Sequence, residues 1–228
     1  MSVLHLHGLV PAGQPAAGAP LHRRFRIGPM TAIVTEGART TMQDAALDSV
    51  LAHDRLLSCY LASGPVLPVR FGTCFSGPRA LQEALAERLA PCTARLEALR
   101  GHAEYALTVE PGDAVQPINA APNPETGREF LKLRKIRRDR RLKASEAQSQ
   151  ALRALFLRAE DLAAEAEPRP ARPPRRSELA LLMTPATAAQ LRQTLPGWCA
   201  DHGLIARLAG PFPPYSFAHV AMEVPADV

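Results

Sequence analysis

The stretch Gly64–Phe75, Gly-Pro-Val-Leu-Pro-Val-Arg-Phe-Gly-Thr-Cys-Phe, constrains the fold most, because it is apolar, interrupted by two prolines and carries a single charge. It reads as a buried strand feeding a turn. Gly64 is placed to close the preceding helix in a left-handed conformation, and Pro68 removes a ladder donor, which confines the strand to a sheet edge or a bulge. Arg70, the one charge, either lies on the solvent side of this strand or makes a specific contact.

With 228 residues, 46% of them apolar and only 5% aromatic, the chain is long enough for one large or two small aliphatic cores. The net charge of +5 is concentrated rather than spread. No apolar run approaches the span of a bilayer and the N-terminus lacks the pattern of a signal peptide, so a cytosolic protein is expected. Cys59, Cys74, Cys92 and Cys199 are far apart and form no metal or redox motif, which makes them small buried hydrophobes; no metal or other cofactor is expected.

Residues 3–10 alternate as a half-buried strand, with Leu4 and Leu6 on one face and His5 and His7 facing solvent on the other. Residues 22–28 and 30–36 form a hairpin about Gly28-Pro29. A helix over 43–63 carries a stripe of Leu47, Val50, Leu51, Leu57 and Leu61, with Gly64 as its stop. A second helix opens at Pro78, kinks at Pro91 and continues to Leu99, and the strand 103–109 ends the first domain. The fold class read from this order is α+β with two domains, the first (1–110) a ferredoxin-like split βαβ unit with an added strand.

Residues 111–127 are proline-rich and aperiodic, a linker. The smaller second αβ domain (128–228) begins with a long helix from Gly127 to about Glu167, whose first half carries nine basic residues between Arg128 and Lys143. Pro168–Pro174 breaks it. A buried strand at 177–184, a helix at 185–202 stopped by Gly203, and strands at 204–208 and 217–224 complete the domain. Between the last two strands, Gly210-Pro211-Phe212-Pro213-Pro214-Tyr215-Ser216-Phe217 fixes the backbone and sets aromatic rings at defined angles.

Pro65-Val66-Leu67-Pro68-Val69-Arg70-Phe71-Gly72-Thr73 and this proline–aromatic segment together resemble the gas vesicle accessory proteins of the F and L type. The opening His5-Leu6-His7-Gly8-Leu9-Val10, the strand Ala32–Glu36 and His53 fit the same family in the same order, and Phe212 stands where the family usually has tryptophan. The shared motifs do not separate F from L. The resemblance implies two αβ domains and a non-enzymatic assembly factor, a minor component of the growing vesicle that acts with the small hydrophobic major shell protein and with other accessory proteins. A soluble partner covering the apolar face of an unassembled shell subunit would keep it from aggregating. Arg70, Phe71, Phe75, Phe212, Tyr215 and Phe217 are the candidate contact residues, since aromatic and arginine side chains anchor interfaces. An added strand at the edge containing Pro68 is a second mode of contact.

The rival is an RNA-binding module using the basic helix 128–143 and a ferredoxin-like sheet. No strand carries the paired aromatics that stack bases, and the basic positions interleave with apolar ones, so neither nucleic acid nor membrane is expected as a partner; a solvated face or a docking face for an acidic protein fits better. An enzyme is disfavoured, because there is no phosphate loop or nucleophile elbow and His53 and Asp54, adjacent on a helix, point in different directions.

Overall fold

The structure is a computed structural model that describes residues 2–16, 18–39, 46–112, 127–172 and 176–219. It is a mixed α/β fold with two antiparallel sheets and, among the described residues, five α-helices. The chain sorts into two compact units, one built from Met1–Tyr105, Leu182–Pro185 and Gly210–Val228, the other from Ala106–Leu181 and Ala186–Ala209.

The first sheet holds β1 (Ser2–Pro11), β2 (Arg23–Ile27), β3 (Met30–Ala38), β4 (Leu67–Pro68) and β5 (Cys74–Phe75), in the order β2-β3-β1-β4 with β5 also on β1. The hairpin turns at Gly28, whose φ of 57° is a value that glycine adopts at low cost. α1 (Leu47–Leu61) covers this sheet, and Val10, Ile33, Leu56, Leu57, Tyr60 and Val66 form the core beneath it. The stripe expected on α1 is partly misplaced. Leu47 and Leu51 are 71% and 41% exposed, and the buried face is His53, Leu56, Leu57 and Tyr60.

Pro68 does sit on an edge strand, where its missing N–H leaves no gap in the ladder. Gly64, however, is not in the left-handed region. A side chain there would come within 2.7 Å of the Gln14 amide, which donates to the Tyr60 carbonyl, so close approach explains the glycine. The kink expected at Pro91 is a full break: α2 (Pro78–Ala86) ends and α3 (Leu89–Ala98) begins before it. Pro91 then falls in the first turn of α3, where an N–H would have had no intrahelical acceptor, so no hydrogen bond is lost.

The second sheet contains β6 (Ala103–Pro111), β7 (Glu165–Arg172), β8 (Arg176–Met183) and β9 (Leu204–Phe212), in the order β7-β8-β6-β9. β6, expected to close the first sheet, is instead interior to the second. Its seven consecutive buried residues need cover on both faces, which a central strand has. α4 (Gly127–Leu162) ends before Glu165, so the residues expected to prolong it and then break it form β7. α5 (Pro185–His202) has the expected bounds, and Gly203 follows it with φ of 61°. The expected linker falls largely outside the described residues, as does most of the strand expected at 217–224. Its first residue, Phe217, belongs to a 3-10 helix at Tyr215–Phe217. Among the described residues no helix is long and apolar enough to cross a membrane.

Candidate functional site

The site begins with one extra residue in β1. Leu6 pairs with Val34 and Gly8 with Ile33, so His7 is inserted between them as a bulge. A bulge interrupts the alternation of faces and re-aims the side chain it carries. His7 is consequently buried, not solvent-facing as the alternation suggested. Its Nδ1 lies 2.8 Å from Nδ1 of His53 on α1 and its Nε2 lies 2.8 Å from the Thr35 hydroxyl. Gly8 faces the same helix; a Cβ there would meet Leu57 Cδ2 at 2.9 Å and the Leu67 carbonyl oxygen at 3.0 Å. His5, half-buried, keeps its own contacts: Nε2 lies 2.7 Å from the Ala38 carbonyl and Nδ1 lies 3.3 Å from Cys74 Sγ.

The segment after Pro68 is a tight turn tied to the same bulge. The Thr73 N–H and hydroxyl both donate to the Arg70 carbonyl, and Gly72 has the φ of 88° that the third position of a type II turn demands. Val69 N–H donates to the His7 carbonyl and Leu6 N–H to the Thr73 carbonyl, which pins both ends of the turn to β1. Arg70 is left exposed at the tip. The ring of Phe71, half-buried, meets His53 edge-on at 5.5 Å between centroids.

The proline–aromatic segment closes the arrangement. Tyr215 lies nearly parallel to His53 at 6.1 Å between ring centres, and its hydroxyl donates to Asp54. Burial, with the Asp54 carboxylate as a second cause, holds the Tyr215 phenol above its ordinary pKa. The buried Glu104 carboxylate accepts from both the backbone N–H and the hydroxyl of Ser216, at 2.7 and 3.0 Å. Arg95 on α3 donates to the Phe217 carbonyl. Gly210, at φ of 121°, lies so close to the Glu104 carbonyl and the Tyr105 ring that a Cβ would come within 2.8 Å of each.

His53 and Asp54 thus both serve Tyr215, through ring stacking and a hydrogen bond respectively. His53 is 3% exposed, and its Nε2 has no hydrogen-bond partner. Burial lowers the His53 pKa to about 4, and burial together with the charge of His53 lowers His7 to about 3, so both rings are neutral at neutral pH. The two imidazoles are buried, and the Phe71 and Tyr215 rings that meet His53 are half-buried. A cavity of about 310 Å3 lies in the other unit, lined by Glu110, Ser145, Ser149 and Arg176 among others, and shares none of these residues.

Of the six candidate contact residues, Phe71 and Tyr215 meet at His53. Phe75 and Phe217 are fully buried, Arg70 is exposed, and Phe212 is 38% exposed. Sequence reading missed His7, Glu104 and Gly8. The signal available for His7 was the glycine after it, since a glycine inside a strand often marks a bulge or a close backbone approach.

The profile of the gas vesicle synthesis protein GvpL/GvpF family matches residues 10–219, and the chain belongs to that family. Two crystal structures share its fold. The gas vesicle protein GvpF from Anabaena sp. PCC7120 is 17% identical, with a TM-score of 0.72 over 96% of each chain. GvpF from Microcystis aeruginosa is 14% identical, with a TM-score of 0.69 over 95% of this chain and 98% of that one. No curated protein matches the sequence. Family membership gives the chain a gas vesicle role and association with other gas vesicle proteins.

Proposed function

We propose that this protein is a non-enzymatic assembly factor and minor vesicle component that binds the hydrophobic major shell protein and keeps it from aggregating while vesicles nucleate and grow. The observation that supports contact with an apolar partner is the outer face of α1, where Leu47 and Leu51, one helical turn apart, are 71% and 41% exposed. Exposed Arg70 and Phe212 and half-buried Phe71 are contact candidates from the same unit. Phe75 and Phe217 are fully buried, and Tyr215 is half-buried with its hydroxyl on Asp54.

The neutral, enclosed imidazole pair suits a scaffold role. It braces the turn bearing Arg70 and the proline–aromatic segment against β1 and α1. Coexpression of the shell protein with this chain tests the reading. The shell protein is expected in the soluble fraction and in the same complex after affinity purification. Equal precipitation with and without this chain would overturn it.

A further inference from the structure

The basic half of α4 is unused by the reading above. Residues 127–143 hold nine basic and two acidic side chains, a larger positive excess than that of the entire chain. Among the described side chains of α4, burial begins only at Ala151. Arg134, Lys135, Arg138 and Leu142 recur at helical spacing and so share one face; all four are exposed, Leu142 at 55%. Arg138 approaches its neighbour Asp139 at 3.7 Å, a long contact on an exposed face that neutralises little of this charge.

We infer that this face docks an acidic amphipathic helix of another protein. Charge complementarity selects the partner's sign. Leu142, standing among the cations, supplies an apolar anchor of the kind that helix-on-helix contacts use and phosphate contacts do not. The described side chains from Arg134 to Gln150 include no aromatic ring on which a base would stack. From Arg134 to Lys143 the face is about 14 Å long at helical rise, enough for two to three turns of a partner. It belongs to the second unit and the exposed α1 leucines to the first, so the electrostatic contact proposed here does not depend on the one proposed for the shell protein.

The test uses the full-length protein and a fluorescein-labelled synthetic helix of glutamates with leucines at every third and fourth position. Labelled poly(U) of similar charge is the comparison. Binding is read by anisotropy at about 0.15 M salt, where only charges in close contact still attract strongly. The peptide is expected to bind more tightly than poly(U). The combined variant Arg134→Glu, Lys135→Glu, Arg138→Glu, Lys143→Glu should weaken peptide binding about tenfold or more. Leu142→Gln should weaken the peptide about threefold and leave poly(U) unchanged. These substitutions keep good helix formers at exposed sites, so circular dichroism should be unaltered. No peptide binding, peptide binding indifferent to the charge reversal or to Leu142→Gln, or tighter binding of poly(U) would each overturn the inference.

Discussion

The Nδ1 atoms of His7 and His53 face each other at 2.8 Å in the interior of the first unit. Only one of the two can carry a proton and still make a hydrogen bond, so the pair exists with one ring donating and the other accepting. Protonating both rings would turn two donors against each other.

This arrangement sets the pH dependence of stability. Both folded-state pKa values, about 3 for His7 and about 4 for His53, lie below the ordinary histidine value of 6.5. The unfolded chain therefore binds protons first as pH falls. The stabilising contribution is complete above about pH 6.5 and is lost as pH falls toward 4 for His53 and toward 3 for His7, with a slope of up to about 1.4 kcal/mol per pH unit for each ring. Urea midpoints at pH 7 and pH 5 should differ accordingly, and His7→Gln should reduce the difference by about half, because burial alone still depresses His53. An unchanged midpoint across that range would refute the assignment.

Gly8 is fixed by packing against Leu57 and the Leu67 carbonyl. Because one obstacle is backbone, Gly8→Ala should destabilise by about 1–3 kcal/mol, seen as a lower thermal midpoint. A midpoint equal to the parent's would mean that the bulge yields more easily than its geometry indicates.

The Glu104–Ser216 contact holds the proline–aromatic segment. Glu104→Gln turns an amide donor toward the Ser216 N–H or removes one of the two acceptors, a loss of about 1–3 kcal/mol. Hydrogen exchange at the Ser216 amide should accelerate while amides of β3 stay protected. Equal exchange in parent and variant would place the restraint elsewhere.

Much of this was legible in the sequence, and the failures have causes. The hairpin of β2 and β3 and the bounds of α5 followed from alternation, glycine placement and helix periodicity. β7 was read as a breaker because of Pro168 and Pro170. Two residues apart in a strand, these prolines direct their missing donors to the same side, which the outer position of β7 in its sheet tolerates. The Arg169–Glu178 ion pair, 2.9 Å long, then ties β7 to β8. His7 was misread because a bulge leaves no periodic trace. The motifs around His7, His53, Phe71 and Tyr215 were each visible, but their meeting depends on contacts between residues up to 162 positions apart, such as Tyr215 with His53, which no local pattern encodes.

Dilution of denatured shell protein into buffer, followed by light scattering, measures protection of an apolar surface most directly. With an equimolar amount of this protein the scattering should fall sharply, and the Leu47→Ser, Leu51→Ser variant, substituted only at exposed positions of α1, should lose most of that effect. Scattering that is the same with the protein, without it and with the variant would contradict the proposed role.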